Sequence, residues 1–168
     1  MLVVLRGNSG SGKSTVARLL QERLRESAPT AVLAQDVLRR QVHREREQEG
    51  LTHAELLVVA AGHCLDAVHH VIIEGILNAR RYGPYLERVD VRAEVAGVEP
   101  DDRRWYAFDL SLEETFRRLA GRPQAAELGG DSLRRWYHGW NPLDSVAEHR
   151  IGPEETAEEV VDRILAGR

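Results

Sequence analysis

Short, wholly apolar runs alternate along this chain with longer stretches in which apolar residues recur every three or four positions. Leu2-Val3-Val4-Leu5 opens the series, and Val16, Leu19, Leu20 and Leu24 follow at helical spacing to about Glu26. Ala28-Pro29-Thr30 breaks that spacing, and Ala31-Val32-Leu33-Ala34 reads as a second buried strand. Residues 37–48 return to a helical pattern through Val37, Leu38, Gln41 and Val42, with Gly50 as its stop. Another helix is predicted from Thr52 to about His69. Thr52-His53-Ala54-Glu55 serves as its capping box, and Leu56, Leu57, Val59, Ala60, Cys64, Leu65 and Val68 form its apolar stripe.

Val71-Ile72-Ile73 is the most β-branched triplet in the chain and predicts a central strand ending in Glu74-Gly75. A helix over 83–96, a loop through Pro100 and a fourth strand from Trp105 to Leu110 come next, and Ser111-Leu112-Glu113-Glu114 caps the following helix. Gly121-Arg122-Pro123 ends that helix, the Gly- and Ala-rich residues 123–131 read as mobile, and Ser132 to Trp140 reads as a short helix. Together residues 121–141 make a candidate lid. A weak fifth strand is expected within Val146–Ile151, and Pro153 is expected to open a last helix with Glu154 and Glu155 in its first turn.

Five short strands separated by helices predict an α/β fold, a parallel sheet with helices on both faces. The 168 residues suffice for one well-cored domain spanning 1–168. Ligands of such sheets bind beyond the C-terminal ends of the strands, where the residues after the first strand, Asp36, Glu74 and Asp109 all fall.

At the first of those ends stands Gly7-Asn8-Ser9-Gly10-Ser11-Gly12-Lys13-Ser14-Thr15, the Gly-x-x-x-x-Gly-Lys-Ser pattern of a phosphate-binding loop, set between a strand and a helix as that loop requires. Its glycines let successive backbone N–H groups turn in around a phosphate, and the helix start adds its positive dipole end. Lys13 is expected to reach the β- and γ-phosphates, Ser14 to offer its hydroxyl to Mg²⁺, and Thr15 to lie near the α-phosphate.

Composition then narrows the partners. A net charge of −4 gives the whole chain no attraction for nucleic acid or an anionic membrane. The single cysteine, Cys64, excludes an internal disulfide and is expected as a small core residue; with no basic leader and no long apolar run, a cytoplasmic protein, monomer or homodimer, is expected. The seven histidines lack metal-ligand spacing.

Around the loop the sequence offers further candidates. Asp36 can accept the proton of an attacking hydroxyl or can cap the helix after it. Arg39, Arg40 and His43 form a basic face behind it, and with Glu74 and Tyr82 they are the candidate substrate-binding residues. Glu74 can equally hold a metal-bound water. Arg117, Arg118 and Arg122 precede the lid; Arg122 is the candidate to swing over a transferring phosphoryl group and Arg118 the candidate to lie against the nucleotide base. Trp136, Tyr137 and Trp140 make either a small satellite core or a stacking platform.

The loop from Gly7 to Thr15, Gln35-Asp36 with Arg39-Arg40, Val71 to Gly75, Asp109 to Thr115 and Arg117 to Pro123 together resemble the small P-loop kinases, among them chloramphenicol phosphotransferase, phage-type polynucleotide 5′-kinase and uncharacterised bacterial kinases. The resemblance implies a five-stranded parallel sheet in the order 2-3-1-4-5. It makes Asp36 the general base and puts Arg39 or Arg40 on the acceptor. The reaction it implies is Mg²⁺-dependent transfer of the γ-phosphoryl of ATP or GTP to a hydroxyl of a small molecule, such as a nucleoside-type or other antibiotic. A polynucleotide 5′-hydroxyl kinase and a non-catalytic nucleotide-sensing module are the alternatives.

Overall fold

Every side chain of Leu2–Leu5 is fully buried, so this strand has to lie inside a sheet that is covered on both faces. It does. In the computed structural model, which describes residues 1–46, 51–67, 69–120, 134 and 137–168, β1 (Leu2–Gly7) pairs in parallel with β3 (His70–Gly75) on one side and β4 (Arg103–Phe108) on the other. β2 (Thr30–Ala34) adds outside β3 and β5 (His149–Ile151) outside β4, giving five parallel strands in the order β2-β3-β1-β4-β5. Order and strand direction are those the sequence resemblance implied.

Alternate residues of the central strands feed two cores. Leu2, Val4, Val71 and Ile73 pack beneath α3 (Thr52–Asp66) and α4 (Ala79–Val95) through Leu57, Ala61, Leu86 and Val89. Val3, Leu5 and Ile72 face α1 (Lys13–Leu24) and α6 (Ala157–Leu165) through Val16, Leu20, Val160 and Ile164. With a period of two, a one-residue slip of β1 would exchange these two sets, so the register that sets the strand ends is fixed by both cores at once.

Several elements differ from the sequence reading, each for a local reason. Instead of a helix over 37–48, one turn of α-helix, α2 (Gln35–Val37), continues as a π-helix over Leu38–His43 and stops at Arg44, which is left-handed at φ 51°. Gly50 lies outside the described residues. Because α2 starts directly from β2, Ala34 is its N-cap and Asp36 falls in its first turn, which removes the capping role considered for Asp36. Thr52 makes no capping hydrogen bond, since the N-cap of α3 is Leu51. The helix ends at Asp66, and its buried stripe runs through Ala54, Leu57, Val58, Ala61 and Leu65, leaving Val59 exposed. α4 starts at Ala79 rather than 83, where the side-chain oxygen of Asn141 accepts from the Ala79 N–H at 2.7 Å.

Further along, α5 (Leu112–Leu119) keeps only half of its capping box. Ser111 Oγ accepts from the Glu114 N–H, but the Glu114 carboxylate turns to Arg117 and Arg118. The last helix opens at Ala157 with a complete Thr156–Glu159 capping box, four residues after Pro153, so Glu154 and Glu155 precede it. Of the short helix expected over 132–140, residues 132, 133, 135 and 136 lie outside the described residues, Arg134 is helical, and residues 137–140 are not.

One polar strut crosses the apolar frame. Arg6, 3% exposed, donates through NH1 to both oxygens of Glu148 at 2.6 and 2.7 Å, through Nε to Leu77 O and through NH2 to Asn141 O; Glu148 also accepts from the Leu143 N–H. Removing one partner strands the other charge without water, so Arg6→Met is expected to lower the unfolding free energy by about 3–5 kcal/mol, with Arg6→Met/Glu148→Leu recovering part of it. Urea denaturation of the two variants measures both.

Candidate active site

β1, β2 and β3 end side by side, and the residues just past each strand face the same crevice, lined by Ser9, Lys13, Ser14, Asp36, Arg40 and Glu74. The loop after β1 is shaped by its glycines. Gly12 is the left-handed N-cap of α1 at φ 104°, and a Cβ on Gly7 would stand 2.9 Å from the carbonyl oxygen of Phe108 on β4. Lys13, the first residue of α1, folds back across the loop, where its Nζ donates to Asn8 O at 2.7 Å and to Ser11 Oγ at 3.2 Å. Asn8 is itself clamped at two points: His138 N donates to its Oδ1 and its Nδ2 donates to His138 O.

Across the crevice, Asp36 accepts from Arg39 at 3.0 Å and lies 3.3 Å from Arg40. Between the two walls sits Glu74, hydrogen-bonded to the Ser14 side chain. Burial pushes its carboxyl above the usual carboxylate range, and the Asp36 charge adds to the rise, while Lys13 and the Ser14 hydrogen bond oppose it. The folded protein therefore holds this proton more tightly than the unfolded chain, so stability falls as pH rises from the ordinary carboxylate value through the raised one. Glu74→Gln is expected to flatten that fall and to raise Tm at pH 7 by a few degrees, since ~1 kcal/mol moves Tm by about 2–4 °C in a chain of this size. Melting curves from pH 4 to 8 check it.

The donor set fits Mg²⁺ of the kind that arrives with a nucleotide. Ser14 and Glu74 both line the crevice at the mouth of the loop, with the carboxylate of Asp36 on the same wall. Among the described residues no group of three or more His, Cys, Asp or Glu side chains could hold an ion unaided. A Mg²⁺ held by one or two protein oxygens would take its other ligands from substrate phosphates and water.

On the opposite side of the loop a second depression is lined by Ser11, Gly12, Thr15, Phe108, Arg118 and Thr156. Arg118 is tied there by three bonds, to Glu114 Oε1, Ser11 O and Pro153 O. Its guanidinium and the Phe108 ring both line this depression, each with an atom 3.9 Å from where a Cβ on Gly12 would stand. Glu114, bound by both Arg117 and Arg118, has its carboxyl drawn down to about 2. It stays charged at any working pH and holds Arg118 in place.

Of the other sequence candidates, Arg39 and Arg40 stand beside Asp36, and His43 closes the π-helix. Arg117 is exposed and paired with Glu114. Tyr82 does not line the crevice: it is 1% exposed beneath it, and its hydroxyl meets Gln35 and His53. Asp109, at the exit of β4, pairs with Arg150, whose guanidinium also lies over the Trp140 ring. Tyr137 donates to Leu110 O, and Cys64 is half-buried against the core rather than within it. Arg122, Trp136 and most of the expected lid lie outside the described residues. The sequence reading missed Ile76 on the crevice wall and the Asn8–His138 clamp. Ile76 could have been found as the residue after Glu74-Gly75, whereas a clamp across 130 residues has no local signal.

Residues 2–136 match the model of a family described as an AAA domain. The chain belongs to that family. No curated protein sequence matches this AAA domain. Among solved structures it is similar to the APS kinase of Mycobacterium tuberculosis in complex with AMPPNP and APS, at 20% identity and a TM-score of 0.71 over 99% of this chain and 95% of that one. A gluconokinase from Sinorhizobium meliloti matches at 19% identity and 0.66, over 98% and 89%. The shikimate kinase of Aquifex aeolicus matches at 21% and 0.55, over 99% and 94%. The AAA domain thus has the fold of the small P-loop kinases. Among its described residues no helix is long and apolar enough to cross a membrane.

Proposed function

We propose that this AAA domain is a phosphotransferase that moves the γ-phosphoryl group of ATP or GTP to a hydroxyl of a small molecule. The observation that carries the reading is the Asp36 carboxylate, on the same crevice as Lys13 and Ser14 and standing on a different strand exit. A non-catalytic nucleotide-sensing module needs the loop; it has no need of a proton-accepting carboxylate in the same crevice. In the proposed reaction the acceptor O–H gives its proton to Asp36, its oxygen bonds to the γ-phosphorus, and the bond from that phosphorus to the bridging oxygen breaks to release the nucleoside diphosphate. Lys13 and the loop N–H groups hold the charge that builds on the phosphate oxygens, and Arg118 holds the base. Ser14, with Glu74 beside it, would hold Mg²⁺, which would supply further neutralisation of that charge. Arg39, Arg40 and His43 present the acceptor, and Arg122 is the lid arginine in this reading.

The crevice carries both charge signs, Lys13 and Arg40 with Asp36 and Glu74, which suits a compact polar acceptor. Hydroxylated antibiotics come into consideration through the resemblance to chloramphenicol phosphotransferase. Incubation with ATP or GTP and Mg²⁺ against a panel of sugars, polyols, hydroxy acids, nucleosides, antibiotics and 5′-hydroxyl oligonucleotides, read by mass, tests it. One added phosphate on a small hydroxyl compound is expected. Transfer confined to oligonucleotides, or tight nucleotide binding with no acceptor-dependent turnover, would overturn it.

A further inference from the structure

Beneath the crevice runs a buried chain of polar groups that phosphoryl transfer does not touch. His53 of α3 is 0% exposed, Tyr82 of α4 1% and Gln35 of α2 3%, all in the layer otherwise filled by Leu57, Leu77 and Leu86. Their hydrogen bonds close into one consistent set. Gln35 Nε2 donates to the Tyr82 hydroxyl at 2.9 Å, that hydroxyl donates to His53 Nε2 at 3.0 Å, and His53 Nδ1 donates to the Glu45 carboxylate, which also accepts from the His53 backbone N–H at 3.1 Å. Burying three polar side chains where apolar ones would pack costs stability unless each is satisfied, so such a network is kept for what it holds in place.

What it holds are the two ends of one segment. Gln35 begins the stretch that carries Asp36, Arg39 and Arg40, and Glu45 ends it. Between them only the half-buried Leu38 packs against the core, and the π-helix contains no buried residue. Arg44, left-handed, turns the chain back so that Glu45 meets His53 while its own N–H donates to Arg39 O. At the other end Gln35 lies over Gly75, where an added Cβ would come within 2.7 Å of the Gln35 Cβ. The network therefore also abuts the β3 exit that carries Glu74.

We propose that Tyr82 and His53 are positioning residues. By pinning Gln35 and Glu45 from below, they fix where Asp36 and Arg40 stand against the phosphate loop. The effect on transfer rests on the proposed role of Asp36; the effect on the segment does not.

The test uses Tyr82→Phe, which deletes one hydroxyl at the middle of the chain, and Glu45→Ala with Glu45→Gln as the conservative control. Hydrogen exchange needs no acceptor: amides 36–45 are expected to exchange at least about tenfold faster in Tyr82→Phe and Glu45→Ala, with β1 and β3 unchanged and with Glu45→Gln restored. Phosphoryl transfer from MgATP, to water or to whichever panel compound is phosphorylated, is expected to fall roughly ten- to hundredfold at unchanged nucleotide Kd. In an Asp36→Asn background Tyr82→Phe is expected to cost much less rate than in the parent, because only the part of its effect that runs through Arg40 is left. Wild-type exchange over 36–45, or a full further loss in the Asp36→Asn background, would overturn the proposal. If Asp36→Asn alone keeps wild-type transfer, the base role fails instead, and exchange still decides the pinning. Should Tyr82→Phe not fold, Glu45→Ala against Glu45→Gln, at the half-exposed end, decides it by the same readings.

Discussion

Asp36→Asn is expected to lower the turnover number by roughly 10²- to 10⁴-fold while nucleotide affinity and Tm barely move. The amide has the shape of the carboxylate and can still accept from Arg39, yet it cannot take a proton from an attacking hydroxyl. Stability is spared for a structural reason. Asp36 lies inside the first turn of α2 rather than at its N-cap, and its own side chain, the acceptor in both ion pairs, is 49% exposed. Pairs this open to solvent are worth about 0–1 kcal/mol. Steady-state turnover, nucleotide titration and a melting curve on one preparation separate the outcomes. Wild-type turnover would remove the base from Asp36 and leave Glu74 as the remaining carboxylate on that wall.

Lys13→Ala is expected to cost ~10²-fold or more in rate, because one preorganised donor to developing negative charge is worth that much. Here ground-state binding should weaken as well, since the ammonium serves the β- and γ-phosphates before and during transfer. The substitution also reaches Glu74. Lys13 is the largest influence opposing the rise in that carboxyl's pKa, so its loss should push the Glu74 proton affinity higher still. The pH dependence of Tm in Lys13→Ala should therefore steepen where that of Glu74→Gln flattens. A folded Lys13→Ala protein with full activity would end the phosphate-loop reading.

The sheet was legible in the sequence because each of its central strands is an uninterrupted apolar run, a signal that survives without any tertiary information. The phosphate loop was legible for a similar reason, being nine consecutive residues whose backbone demands glycine at set places. Helix ends were harder. Thr52 has the right residues for a capping box, but His53 is drawn under the crevice by Glu45 and Tyr82, and such long-range pairing outweighs a capping preference of about 1 kcal/mol. Tyr82 was misplaced for the same cause: an aromatic hydroxyl near a strand end reads as a ligand contact, and nothing local says that its partners are Gln35 and His53. The π-helix carrying Arg39 and His43 shows the ordinary apolar spacing of an α-helix, so periodicity could not foresee it.

The Arg6–Glu148 strut joins groups 142 residues apart, and β1 has β3 and β4, both later in the chain, as its neighbours. β1 is thus completed only by strands that follow it in the chain. During translation the residues that will cradle phosphate have no sheet to belong to, and a buried cation waits for its counter-ion until Glu148 has emerged. Such a non-local order of assembly makes for slow folding and for a nascent chain whose apolar first strand stays exposed. The loop that follows β1 is thus framed only once β3, β4 and the Glu148 segment have come together around it.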